Sequence, residues 1–231
     1  MLEQLREEVL EAHLELAERG LASFTFGNAS GIARDEGLVV IKPSGVPYDG
    51  LRAAELVVTD LEGRLVEGKL RPSSDLATHL TLYRAFPEIG GLTHTHSHYA
   101  TAWAQAGREI PCLGTTHADY FRGCIPVTRP MRHEHVTDSY EENTGHVIVE
   151  RFRDLDSMQM PAVLVRNHGA FTWGASVGDA AQVAAVLEEV ARLAYDTLVI
   201  NAAAEAIPDV LLEKHYLRKH GVAAYYGQLK E

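Results

Sequence analysis

The segment GLTHTHSHYA, residues 91–100, sets His94, His96 and His98 at every second position, with Thr95 and Ser97 between them. Alternate side chains of an extended chain share one face, so His94 and His96 would stand about 6.6 Å apart at their Cα atoms. Two imidazoles at that spacing can lean onto one ion. Zinc–nitrogen bonds are about 2.1 Å long, and three protein ligands with one exchangeable position make a catalytic site. Solvation, or hydrogen bonding to backbone, is the competing account of each histidine. His98 falls beyond the useful part of such a strand, so a third ligand has to come from elsewhere.

Reading outward, the segment DLATHLTLYRAF (75–86) has a helical pattern, and IGGLTHTHS (89–97) follows it as a strand running into a polar loop. MPAVLVRNHGAFTWG (160–174) reads the same way. Near the start, Leu5, Val9, Ala12 and Leu16 recur at helical spacing before Gly20. GLVVIKPSG (37–45) is a short β-branched run stopped by Pro43 and Gly45, and ELVVTDLEGRLVEG (55–68) predicts a hairpin turning at Glu62 and Gly63. Residues 177–204 carry the longest helical pattern. Residues 208–221 begin with proline at a first-turn position and end in glycine. Strands interleaved with helices at both ends predict an α/β layered domain. No repeat, low-complexity tract or linker divides it, so a single domain over 1–231 is expected.

With 231 residues the chain can bury a sizeable core without staples. Its formal net charge of −11 argues against a broad electrostatic hold on nucleic acid or an anionic membrane, so any anionic ligand must sit in a local pocket. Cys112 and Cys124 form no CxxC pattern, which fits a reducing compartment and chemistry without thiols. The charged N-terminus has no signal-like apolar run and no segment has the length of a membrane span; a cytoplasmic protein is expected.

His168, in VRNHGAF, ends an apolar run where glycine lets the backbone turn tightly, and it is the candidate third ligand. Asp75, after two serines, adds an oxygen donor, with a first-turn carboxylate favoured by the helix dipole as the alternative. Three imidazoles and a carboxylate suit Zn2+, with Mn2+ or another first-row divalent ion as alternatives. FGNASG (26–31), KPSG (42–45) and PSSD (72–75) are short Gly-, Ser- and Asn-rich loops that can offer backbone N–H groups and hydroxyls to an anion, or serve as ordinary turns. None matches a Walker or dinucleotide-binding pattern. A small sugar phosphate is the ligand that fits.

The motifs GNASG, IKPSGVPY, PSSDLATHLTLYRAFPEIGGLTHTHS, WAQAG, GTTHADYF, YEENTGHVIVE, NHGAFTWG and LLEKHYLRKHGVAAYYGQ together resemble the class II aldolase/adducin family, from about residue 1 to 228. Asp75 after Pro-Ser-Ser, and the tail, resemble its sugar-phosphate 4-epimerase branch. The resemblance implies a three-layer α/β/α fold with a central, mainly antiparallel sheet flanked by helices. It implies metal binding by His94, His96 and His168, with Asp75 as fourth ligand or nearby base. It further implies substrate and phosphate loops at Gly27, Asn28, Ser44, Gly45, Ser73 and Ser74, and catalytic acid/base roles for Asp119 and Tyr226. Glu141 and His215 match positions near the family's site. That tyrosine reaches a neighbouring subunit's site in the family, so a homotetramer is implied. Two departures are local: His98 stands where Arg is expected, and NHGAF replaces an SHGPF-like pattern. An aldolase acting on another sugar phosphate, and a non-catalytic adducin-like interaction module, are the alternative readings.

Overall fold

The turns that the sequence predicts set the strand order. In the computed structural model, which describes residues 2–222 and 224–226, the chain begins with α1 (Glu3–Glu18) and passes into β1 (Asn28–Ala33) and β2 (Leu38–Ile41), joined by a turn with Gly37 at φ +65°. A single 3-10 turn at Ala53–Glu55 precedes β3 (Val57–Asp60) and β4 (Leu65–Glu67), which fold back through Gly63 at φ +81°. Next come α2 (Leu76–Ala85), β5 (Gly91–Thr95), α3 (His98–Ala106), α4 (Thr115–Ala118), α5 (His133–Thr137) and α6 (Tyr140–Arg151). β6 (Ala162–Val165) and β7 (Gly169–Gly174) form a last hairpin before α7 (Val177–Ile200) and α8 (Asp209–His220).

The seven strands make one sheet in the order β4-β3-β2-β1-β5-β7-β6, with every strand antiparallel to its neighbours. β5 lies between β1 and β7, with His94 opposite Asn28 on one side and Phe171 on the other. Alternation along the strands divides the two faces. Trp173 packs on Phe86, just after α2, and Phe152, just after α6, and α2 and α6 pack on each other. On the opposite face α7 lies against β5 and β7 and also against α1. It comes so close that a Cβ on Gly91 would stand 2.3 Å from the Cα of Val177. Helices thus cover both faces of an antiparallel sheet, the three-layer arrangement expected from the family resemblance.

Two boundaries differ from the sequence reading. The strand carrying the histidines ends at Thr95, so that His96 as well as His98 lies beyond it. A helix takes over because Glu188 of α7 accepts hydrogen bonds from the N–H groups of Tyr99 (2.8 Å) and Ala100 (3.0 Å), supplying the cap that Ser97 does not provide. The long helix stops at Ile200, with Asn201 extended, instead of running on to 204. Of the two cysteines, neither of them in a disulfide, Cys112 is buried and Cys124 is exposed.

Candidate active site

His94 is the penultimate residue of β5, buried, with its ring stacked on Phe171 at 4.3 Å. Its Nδ1 lies 2.9 Å from the carbonyl oxygen of Ala170. A carbonyl can only accept, so Nδ1 carries the proton and the Nε2 lone pair is left facing the cavity. His96, one residue beyond the strand, brings its Nε2 to 3.0 Å from His94 Nε2. His168 sits in the β6–β7 turn, where Asn167 adopts φ +63°. Tyr140, at the start of α6, places its hydroxyl 3.4 Å from His168 Nδ1. The three imidazoles offer nitrogens that all lie within 4.8 Å of one another. The approach requires glycine at 169, where a Cβ would stand 2.7 Å from Thr95 O, 3.2 Å from His96 Cδ2 and 3.3 Å from His94 Cε1.

Burial pushes all three histidines below the ordinary imidazole range. For His94 the neighbouring His168 and His96 add to the effect, and for His168 the neighbour His96 does; the Asp75 carboxylate partly opposes it at His96 and His168. Neutral imidazoles with converging lone pairs are the form that binds a divalent ion, so the donor set fits a metal.

This cluster opens into a cavity of about 410 Å³. Gly27, Asn28, Ser44, Gly45, Ser73, Ser74 and Asp75 line it with His94, His96 and His168, and so does Glu141. The two serine loops are stitched together: Ser44 N–H donates to Arg71 O and Ser73 N–H to Lys42 O, both at 2.9 Å. Asn28 Nδ2 donates to Asp75 Oδ2 (2.7 Å) and Ser73 Oγ (3.2 Å), while its buried Oδ1 has no partner among the described residues. Asp75 occupies the N-cap position of α2, yet its side chain makes no capping bond. It is held by Asn28 instead, beside the three-nitrogen group and outside it.

Sequence reasoning passed over Lys42 and Tyr140, which also line the cavity. Lys42 is 2% exposed, its ammonium lies 5.0 Å from the centre of the Tyr48 ring, and burial lowers its pKa. The only signal was a lysine inside the KPSG loop already marked as anion-binding.

Asp119 and Tyr226 do not line this cavity. They belong to a second cluster between α4 and α8. Arg218 donates to Asp119 from Nε (2.9 Å) and Nη2 (2.6 Å), and His215 Nδ1 from 3.0 Å. Burial alone would raise the Asp119 pKa, but these bonds and the charges of Lys219 and Arg218 hold it below the ordinary carboxylate range. Arg218 and Lys219 also lie over the Tyr226 ring, at 4.8 and 4.5 Å, and Tyr226 remains 58% exposed.

Residues 7–195 match the family described as Class II Aldolase and Adducin N-terminal domain, and the chain belongs to that family. Within it, the chain is 52% identical to "L-ribulose-5-phosphate 4-epimerase UlaF" of Salmonella paratyphi B over 98% of its own length and all of that relative's. Among solved structures, an L-fuculose 1-phosphate aldolase superposes with a TM-score of 0.79 at 24% identity, over 94% of this chain and 96% of the other. The corresponding aldolase of Thermus thermophilus gives 0.70 at 26% identity, over 88% and 100%.

Proposed function

We propose that this chain interconverts L-ribulose 5-phosphate and D-xylulose 5-phosphate, a metal-dependent 4-epimerisation that proceeds by cleaving and re-forming the C3–C4 bond. The observation that carries it is the convergence of three histidine nitrogens and three Gly-, Ser- and Asn-rich loops on one cavity. The substrate assignment comes from the relative that shares half its residues over nearly the whole chain.

The C4 hydrogen is not alpha to the C2 carbonyl, so simple deprotonation cannot epimerise that centre. A retro-aldol break can. His94, His96 and His168 would hold the metal, Zn2+ in this reading with Mn2+ or another divalent ion as substitutes, and when bound it would supply Lewis-acid stabilisation of the developing enediolate charge. Gly27, Asn28, Ser44, Gly45, Ser73 and Ser74 bind the substrate and its phosphate through N–H and hydroxyl donors, and the buried Lys42 adds a cation. Asn28 also orients Asp75. Asp75 is assigned the fourth donor position. Loss of the ion in Asp75→Asn supports that role, and a full complement with slow turnover supports a nearby base.

Two proton carriers are needed, one to take the C4 hydroxyl proton before cleavage and one to return a proton after re-addition to the other face. Asp119 and Tyr226 are assigned to them. Their shared cluster outside the cavity supports donation of the pair to a neighbouring subunit's site in a homotetramer. Among the described residues no helix is long and apolar enough to cross a membrane. With the acidic composition, the reading adopted is a single-domain cytoplasmic enzyme that binds neither nucleic acid nor membrane.

The test supplies purified protein with L-ribulose 5-phosphate, in the presence of chelator and of chelator plus zinc, and follows D-xylulose 5-phosphate. Chelator-sensitive, zinc-restored conversion is expected. Metal-loaded, folded protein that makes no xylulose 5-phosphate rejects the proposal.

A further inference from the structure

None of these roles uses the aromatic side chain of Phe26, at the rim of the cavity, or its neighbour Phe24. Phe26 lines the cavity and is 56% exposed; Phe24, beside it, is 82% exposed. Their rings meet edge to face at 6.0 Å, and the Phe26 ring lies nearly parallel to the His96 imidazole, 6.1 Å away at 19°. The backbone beneath them is anchored. The buried Tyr48 hydroxyl reaches the carbonyl oxygens of both Phe26 (2.9 Å) and Gly27 (2.8 Å). Gly27 has φ +79°, and a Cβ there would stand 2.7 Å from His94 O. Phe24 is held at φ +58°, a region that bulky side chains seldom enter. An exposed ring, on a backbone anchored by Tyr48 and packed closely against the strand bearing His94, is a positioned group and not a casual surface residue.

We propose that Phe26, propped by Phe24, is a specificity-determining residue that retains the aldehyde fragment between cleavage and re-addition, and this rests on the epimerase reading above. Removal of the C4 hydroxyl proton sends the C3–C4 electron pair into the enediolate of dihydroxyacetone and leaves C4 as the carbonyl of glycolaldehyde phosphate. Attack of C3 on the opposite face of that carbonyl, with a proton returned to its oxygen, completes epimerisation. If the aldehyde escapes first, C3 takes a proton from water, and both fragments leave as dihydroxyacetone and glycolaldehyde phosphate. The same cleavage begins both courses, so the partition between them depends on how the aldehyde is retained, by the loops that hold its phosphate and by what stands at the cavity mouth. A phenyl ring beside His96 offers no hydrogen bond to water or to the departing aldehyde, and although Phe26 opens the 26–31 loop, its side chain adds no donor to the N–H and hydroxyl groups assigned to the phosphate.

The experiment gives metal-loaded wild type, Phe26→Ala, Phe26→Trp and Phe24→Ala L-ribulose 5-phosphate, and measures D-xylulose 5-phosphate, free glycolaldehyde phosphate and bound metal. Phe26→Ala is expected to raise the ratio of released aldehyde to epimerised product by about tenfold with unchanged metal content, as expected when a reactive intermediate loses its shield from water. Phe26→Trp keeps the wild-type ratio and Phe24→Ala raises it less. A wild-type ratio in Phe26→Ala overturns the proposal. Should Phe26→Ala lose its metal, Phe24→Ala decides, and a wild-type ratio there overturns it. Failure of the wild type to epimerise rejects the functional reading itself, which separates the two.

Discussion

His94, His96 and His168 are each restrained differently: a carbonyl fixes the first, a stacked phenyl ring lies beside the second, and a tyrosine hydroxyl meets the third. Partners of this kind tune ligand basicity and orientation. His96→Asn is expected to lower bound metal and turnover together, and elemental analysis finding full occupancy would remove His96 from the donor set. Lys42→Met should raise KM for the phosphorylated substrate by tenfold or more, on the order of the 1.5–3 kcal/mol of a hydrogen bond to a charged group. Its metal content should be unchanged, and steady-state kinetics beside a metal assay separate the two effects. The histidine pair was legible because a period of two is the signature of a strand. Lys42 was not, since a loop lysine ordinarily reads as solvated and its burial under Tyr48 is a tertiary event. Asp119 and Arg218 could not have been paired from spacing at all, being 99 positions apart.

At the level of elements, the site rests on strand pairing and on a clamp beneath it. Buried His13 of α1 joins Val9 O through Nδ1 (2.6 Å) and receives the N–H of Ala29 at Nε2 (2.8 Å). One partner can only accept and the other can only donate, so the imidazole must be neutral; burial, the larger cause, helps push its pKa down to about 3. Ala29 follows Asn28 on β1, so this clamp fixes the strand next to a cavity residue. His13→Ala should cost about 2–4 kcal/mol, the range for truncating a buried, hydrogen-bonded side chain, as read from urea unfolding. Gly169→Ala drives a Cβ against Thr95 O and should destabilise by about 1–3 kcal/mol while weakening metal binding, measurable by chelator competition. Helices and hairpins were readable from periodicity and turn residues. The premature end of β5 was not, because the group that caps the next helix, Glu188, comes from α7 on a distant part of the chain.

For the whole molecule, two clusters that lie apart in one chain are the feature to explain. If Asp119 and Tyr226 serve a neighbouring subunit, then His96→Asn and Tyr226→Phe, each inactive or slowed by roughly 100-fold as for loss of a positioned acid/base, should restore activity when co-assembled. One kind of site in the hybrid would then be intact. Hybrids no more active than the two parents would place both groups in their own subunit's chemistry. Stability should also respond to acid. His13, with a pKa of about 3, and His117, lowered mainly by burial to about 4, are neutral when folded and become protonated on unfolding below about pH 6.5. The unfolded chain therefore binds more protons below that pH. Their contribution is fully present above about pH 6.5 and is lost as pH falls toward 4 and 3, by up to about 1.4 kcal/mol per pH unit for each group. Urea midpoints of chelator-treated protein at pH 7.5 and pH 5 measure it.

The three imidazoles are mounted on β5, on the residue just after it and on the turn into its partner β7, in a sheet paired through its backbone. Removing the metal should therefore leave the far-ultraviolet circular dichroism unchanged, unlike proteins whose metal is their fold. An ion can be exchanged on a standing scaffold without refolding. If the three histidines bind a divalent ion as proposed, its identity in a given preparation should follow the supply in the growth medium and the affinity order of first-row ions for nitrogen donors, and not the history of the chain's folding.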